Sequence, residues 1–111
     1  MPLFITQGRF TQEAMRGMLA KPEDRAEALA QLAAKAGGKL LAYYMTFGEY
    51  DFLIISEGTH EAVATSVIVA AASGGATDLK TTLAMTSSEM KNIFVKAGSI
   101  AGSFKPAGAK T

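Results

Sequence analysis

The most constraining feature of the sequence is an unbroken apolar run, Phe52-Leu53-Ile54-Ile55, that follows a tight turn at Gly48-Glu49. An antiparallel sheet with one face in water normally alternates apolar and polar residues. Successive strand residues point to opposite faces, and here all of them are apolar. The run therefore predicts a strand whose sheet is covered on both faces.

Four strands and three helical regions are predicted along the chain. The first helical region begins at an N-cap, Thr11, starts again with Pro22 in its first helical position, and ends at Gly37-Gly38. The second begins after Thr59 and ends near residue 73, before Gly74-Gly75. The strands are expected at residues 3–9, 40–47, 50–56 and 79–85.

The third helical region starts at a capping box, in which Thr86 and Glu89 satisfy each other's backbone amides. We expect this short helix to reach about residue 97. The residues after it are rich in Gly, Ala, Ser and Lys, which predicts an irregular tail at 98–111 beyond a single domain at 1–97. Within that tail, Ile100 and Phe104 are the large apolar residues that could dock.

The order βαββαβ predicts an α+β, ferredoxin-like fold with a four-stranded antiparallel sheet. Right-handed crossovers place both main helices on one face and leave the other bare. A second copy, packed sheet to sheet, is the simplest cover; the alternative is that the tail folds back over the sheet. The bare face is expected to carry an alternate set of large side chains: Leu41, Tyr43, Met45, Leu53, Ile55 and Leu83.

Composition supports association and limits the partners. Apolar residues make up 49% of the chain and charged residues 19%, an apolar excess that suggests surface buried against another subunit. The apolar helix at 60–72 predicts a further contact, which would allow an oligomer larger than a dimer. A net charge of +1 gives no reason to expect nucleic-acid binding.

The sequence also suggests a cytoplasmic protein. There is no Cys, so disulfides and thiol chemistry are excluded and a reducing compartment is suitable. Residues 1–7 turn polar too early for a signal peptide, and the apolar stretch at 62–72 is too short to span a bilayer. We therefore expect no membrane partner.

The turn Gly48-Glu49-Tyr50-Asp51, with Gly37-Gly38-Lys39-Leu40 before it and the apolar strand after it, resembles the GYD-domain family over roughly residues 3–95. The resemblance implies a small bacterial protein of the dimeric α/β-barrel group of ferredoxin-like folds. It implies homodimerisation and the candidate pair Tyr50 and Asp51. It brings no catalytic residues.

The candidate ligand-binding residues are the polar groups beside apolar walls. Asp51 could act as a base or ligand anchor with Tyr50 as a hydrogen-bond donor, or it could tie the turn through backbone amides. Tyr43 and Tyr44 should point to opposite faces, and Arg9 could pair with Glu57 or face a cavity. The full set is Arg9, Tyr44, Tyr50 and Asp51.

No metal or cofactor is expected, because Cys is absent and the single histidine, His60, has no ligand-forming neighbours. Three functions remain open. The first is a homodimer that binds a small apolar or aromatic ligand. The second is a cofactor-independent enzyme of the monooxygenase or isomerase type, suggested only by analogy of fold. The third is an assembly or regulatory module without a ligand.

Overall fold

The computed structural model describes residues 2–108, and all structural statements below refer to that part of the chain. It contains four strands, four helices and a short 3-10 helix at Ala101–Ser103. The elements, in chain order, are β1 (Leu3–Phe10), α1 (Gln12–Ala20), α2 (Ala26–Lys35), β2 (Lys39–Met45), β3 (Phe52–Glu57), α3 (His60–Ala72), β4 (Ala76–Ala84) and α4 (Ser87–Ile100).

The strands form one antiparallel sheet in the order β2-β3-β1-β4. The central strands are β1 and β3, as the ferredoxin-like prediction requires, and α1, α2 and α3 lie over one face. We call this the helix face and the opposite one the open face. The predicted α+β, ferredoxin-like architecture is confirmed.

Helix starts follow the local signals closely. The hydroxyls of Thr11, Thr59 and Thr86 each accept a hydrogen bond from the backbone amide three residues later, and Glu89 completes the capping box at Thr86. The predicted start at Pro22 is wrong. Helix α2 begins at Ala26, because Asp24 Oδ1 accepts a hydrogen bond from the Ala26 amide at 2.9 Å and residues 22–25 stay non-helical.

Two bulges decide which side chains reach each face of the sheet. In β2, Leu41 is an extra residue between the pairs Leu40–Ser56 and Ala42–Ile55. A single extra residue reverses the facing of everything after it. In β4 the bulge lies opposite Gly8, between the pairs Gln7–Lys80 and Arg9–Thr77. Asp78 lies within this bulge and has a positive φ of 52°.

The first bulge corrects the predicted open face. Tyr43 pairs with Ile54 and Met45 pairs with Phe52, which puts both on the helix face. Leu83 is also on the helix face, because it pairs with Phe4, whose side chain lines a groove together with residues of α3. The placement of Leu53 and Ile55 was correct. The large apolar side chains of the open face are Leu3, Ile5, Tyr44, Leu53 and Ile55.

The tightly packed core is small. Phe52, Ala62 and Val63 are its buried apolar side chains, and Thr6 is buried with its hydroxyl 3.0 Å from that of Thr81. At Gly8, a Cβ atom would come within 2.7 Å of both Leu79 and Phe52, so only glycine fits between them.

Helix α4 stands apart from the sheet and the other helices. Its main contact is with the short 3-10 helix that follows it, and the molecule is 66 Å long but only 29 and 22 Å across. The helix ends at Ile100, three residues beyond the predicted end at residue 97. Residues 109–111 of the predicted tail lie outside the described part of the chain. None of the described helices is long and apolar enough to cross a membrane.

Candidate functional site

An open cleft of about 590 Å³ separates the helices from the helix face of the sheet. Apolar side chains form most of its walls, including Leu29 and Leu32 of α2, Val63 and Val67 of α3, and Phe52 of β3. No residue of helix α1 or α2 is buried, so the cleft is open beside both helices. The cleft is large enough for a small organic molecule.

Tyr43 provides the best-placed polar group of the cleft. Its hydroxyl donates to the Met45 sulfur at 3.5 Å, and a thioether is a weak acceptor that a ligand oxygen could replace. Burial raises the pKa of Tyr43, with Asp24 adding to that effect and Arg25 opposing it. The phenol therefore stays protonated at neutral pH and is a hydrogen-bond donor.

Two other hydroxyls of the cleft are already bonded within the protein, and the hydroxyl residue Ser56 also lines it. Ser66 Oγ donates to the Ala62 carbonyl, and Ser73 Oγ donates to the Ala70 carbonyl. At the mouth, Arg25 pairs with Glu23 at 2.7 Å, and Lys21 lies on the same rim. The interior consequently suits an apolar or aromatic body with few polar groups, one of them an acceptor for the Tyr43 hydroxyl.

The turn at residues 48–51 lies outside this cleft and is tied to β1. Asp51 Oδ2 accepts a hydrogen bond from the Phe10 amide at 2.9 Å, and the Asp51 amide donates to the Gly8 carbonyl at 2.8 Å. Gly48 has a φ of +151°, a conformation that side chains disfavour. In this arrangement the Asp51 carboxylate holds the turn against the neighbouring strand.

Tyr50 lies between two cations. Its ring centre is 5.9 Å from the Arg9 guanidinium carbon and 5.5 Å from Lys80 Nζ. Arg9 also donates to the Glu49 carbonyl at 2.7 Å and lies 3.8 Å from Asp78 Oδ2. A side-chain hydrogen bond with Tyr50 raises the pKa of Lys80. These exposed groups fix the turn to β1 and β4.

The structure thus brings Arg9, Tyr50 and Asp51 together at one end of the sheet, but it places none of the four candidates in the cleft. Tyr44 pairs with Leu53 on the open face and is 60% exposed. Tyr43 and Tyr44 do point to opposite faces, as predicted.

The suggested pairing of Arg9 with Glu57 is wrong. Glu57 lies opposite Leu3, at the other end of β1, because antiparallel strands place the end of one beside the start of the next. His60 is exposed at the first turn of α3 and borders a smaller groove. Within residues 2–108, no group of three His, Asp or Glu side chains converges as metal ligands would.

Residues 4–94 match the model of the GYD domain family. The match covers most of the chain and includes all four strands, so this protein belongs to the GYD domain family. Among functionally curated proteins, no sequence is significantly similar to it.

Several solved structures are similar at low identity. The protein TTHA0845 from Thermus thermophilus is 19% identical, with a TM-score of 0.49 over 78% of this chain and 96% of that one. A transcriptional regulator from Neisseria meningitidis, solved with L-Met, is 17% identical, with a TM-score of 0.47 over 78% of this chain and 51% of that one. An antibiotic biosynthesis monooxygenase is 17% identical, with a TM-score of 0.40 over 78% and 98%. Similarity this distant does not carry the ligand or activity of those proteins to this chain.

Proposed function

We propose that this GYD-domain protein is a homodimer that binds a small apolar or aromatic ligand in the cleft between its helices and its sheet. The observation that carries the proposal is the cleft itself, about 590 Å³ in volume and lined mainly by apolar side chains. Pockets of about 300–1,000 Å³ are typical of small-molecule sites. Tyr43 is the donor that would orient the ligand.

Homodimerisation is supported by the open face. Ile5, Leu53 and Ile55 lie next to one another in the register of β1 and β3, and the exposed ring of Tyr44 extends this surface. Burying about 1,000 Å² of apolar surface is worth roughly 25 kcal/mol before association costs are subtracted. A second copy related by a two-fold axis would cover the open face of the first copy with its own open face.

The enzymatic alternative placed its chemistry at Tyr50 and Asp51. Asp51 is engaged with the Phe10 amide, and Tyr50 is held between Arg9 and Lys80. Neither residue lines the cleft that could hold a substrate. Binding without turnover therefore agrees better with the geometry.

The test uses 1-anilinonaphthalene-8-sulfonate, a small aromatic probe, with the full-length protein. Ala70 lines the cleft, whereas Ala72 is exposed on the same helix and lines neither the cleft nor the smaller groove beside α3. We expect Ala70→Phe to fill the cleft and weaken probe binding at least about tenfold, and Ala72→Phe to leave it unchanged. Circular dichroism establishes that both variants fold. Equal affinity in the two folded variants would contradict a ligand site in the cleft.

A further inference from the structure

Helix α4 carries an apolar stripe, and its main contact among residues 2–108 is with the short 3-10 helix that follows it. One face of the helix carries apolar residues at the 3–4 spacing of a helical stripe: Met90, Ile93 and Phe94, Ala97, and Ile100. Phe94 is 69% exposed and Ile100 is 61% exposed, and the charged residues Glu89 and Lys96 border the stripe on one side. We call this surface the α4 stripe. An amphipathic helix of this kind is stable when its stripe is covered.

A complementary surface lies elsewhere on the same molecule. A groove of about 260 Å³ runs between α3 and the sheet on the side away from the cleft. Leu83, 59% exposed on the helix face of β4, lies near its edge. The groove contains no Asp, Glu, Lys or Arg, and its lining residues are Phe4, His60, Val63, Ala64, Val67, Ile68 and Thr81. We call it the α3 groove.

The start of α4 is fixed by a short, capped connection to β4. Only Met85 and Thr86 separate β4 from α4. The Glu89 amide donates to Thr86 Oγ1 at 3.1 Å, and Glu89 Oε1 accepts from the Thr86 amide at 3.3 Å. For α4 to fold back onto the α3 groove of its own chain, this capped connection would have to rearrange. The groove of a second molecule can bind α4 without that rearrangement.

We propose that the α4 stripe of one copy docks in the α3 groove of a second copy. The stripe would bury on the order of 500 Å² per helix, of which Phe94, the single aromatic residue of α4, contributes about 150–250 Å². A reciprocal exchange would bury roughly 2,000 Å² over both partners, which is the size of a stable interface. This contact is separate from the open face and does not depend on ligand in the cleft.

A lipid surface is the competing occupant, because basic amphipathic helices bind anionic membranes. Helix α4 carries only Lys91 and Lys96 against Glu89, and such attraction supplies only about 1 kcal/mol per lysine. The uncharged groove on the same chain matches the stripe better.

The decisive experiment uses the absence of cysteine in the natural chain, so that only engineered thiols react. Full-length Ala97→Cys, on the stripe, is mixed with full-length Ala64→Cys, in the groove, and treated with a short bis-maleimide linker. Ser99→Cys, on the opposite side of α4, and Thr65→Cys, outside the groove on α3, are the matched controls. We expect a covalent dimer from the first mixture at least about tenfold faster than from either control pair.

A second pair of variants tests the apolar contact. Phe94 and Val95 are 69% and 68% exposed, but Val95 is rotated by about 100° around α4 from Phe94 and lies off the stripe. Phe94→Asp in the Ala97→Cys chain should reduce cross-linking at least about tenfold, and Val95→Asp should change it less than about twofold.

Three results would overturn the proposal. One is an internal cross-link in an Ala64→Cys/Ala97→Cys chain without a dimer, which would place the helix on its own groove. Another is a dimer formed as readily by Ala97→Cys alone, which would mean that two α4 helices pair. The third is no groove cross-link together with Phe94-dependent binding of the natural chain to anionic phosphatidylglycerol vesicles.

Discussion

The Asp51 carboxylate accepts a hydrogen bond from the Phe10 amide at 2.9 Å, and this contact joins the turn before β3 to the end of β1. Phe10 in turn packs against Phe52, with ring centres 5.0 Å apart. Asp51 therefore fixes the relative position of β1 and β3 where Phe10 and Phe52 line the cleft.

From this contact we expect Asp51→Ala to lower the free energy of unfolding by about 1.5 kcal/mol, because it leaves a backbone amide without its charged acceptor. Asp51→Asn keeps an acceptor oxygen and should lose less. Glu49→Ala is the control, since only the Glu49 carbonyl is used, by Arg9. Urea denaturation measures all three. An unchanged unfolding free energy for Asp51→Ala would leave the carboxylate available for another role.

Gly8 gives a sharper test of packing. Gly8→Ala would place a Cβ atom 2.7 Å from Leu79 and Phe52, and we expect it to cost about 1–3 kcal/mol of stability. Gly17→Ala meets nothing within 4 Å in α1 and should stabilise by about 0.5–1 kcal/mol. Thermal unfolding compares the two. A Gly8→Ala variant as stable as the natural chain would contradict the close approach of β1 to Leu79 and Phe52.

Sequence alone predicted those features that depend on neighbouring residues in the chain. The caps at Thr11, Thr59 and Thr86 need only an acceptor three residues before an amide, and all three formed. The strand order followed from the handedness of two crossovers. The antiparallel direction of β1 and β3 also followed, and it should have excluded the pairing of Arg9 with Glu57.

Features set by pairing between strands could not be predicted in the same way. The bulge at Leu41 exists because Ala42, rather than Leu41, aligns with Ile55. It turned Tyr43 into the cleft and left Tyr44 on the open face, so sequence reasoning chose the wrong tyrosine for the cleft. The cleft itself depends on how far α1 and α2 lie from the sheet, which no local pattern encodes.

The open face predicts a specific effect on assembly. Ile55→Glu places a charge at the centre of that face, where a partner sheet could not solvate it. In a chain that also carries Phe94→Asp, which removes the proposed α4 contact, we therefore expect a folded monomer of 11.6 kDa. Leu19→Glu, at an 81% exposed position of α1, is the control and should leave the assembly unchanged. Light scattering at several concentrations measures the mass. A natural chain that is already monomeric, or an Ile55→Glu/Phe94→Asp chain that stays dimeric, would rule out pairing through this face.

The last prediction concerns proton release from Tyr43. Because burial raises its pKa, the folded state holds the phenolic proton more tightly than the unfolded chain, whose tyrosines titrate near pH ~10. The contribution of the protonated Tyr43 side chain to the free energy of unfolding is therefore intact below about pH 10. It is lost as the pH rises through the pKa of Tyr43 in the folded protein. The raised pKa of Lys80 also makes the folded state less stable as the pH rises, so the pH dependence of stability does not isolate Tyr43. A direct spectroscopic signal of the phenol is therefore needed.

A Tyr44→Phe/Tyr50→Phe variant leaves Tyr43 as the only tyrosine, since the chain has three. Its phenolate absorbance should appear at higher pH in the folded protein than in the same variant unfolded in urea. Filling the cleft with the naphthalene probe should move that midpoint higher still, because the ligand excludes water from the phenol. Coincident folded and unfolded titrations would contradict the burial of Tyr43. If the bound probe leaves the titration midpoint of folded Tyr43 unchanged, Tyr43 does not contact the ligand.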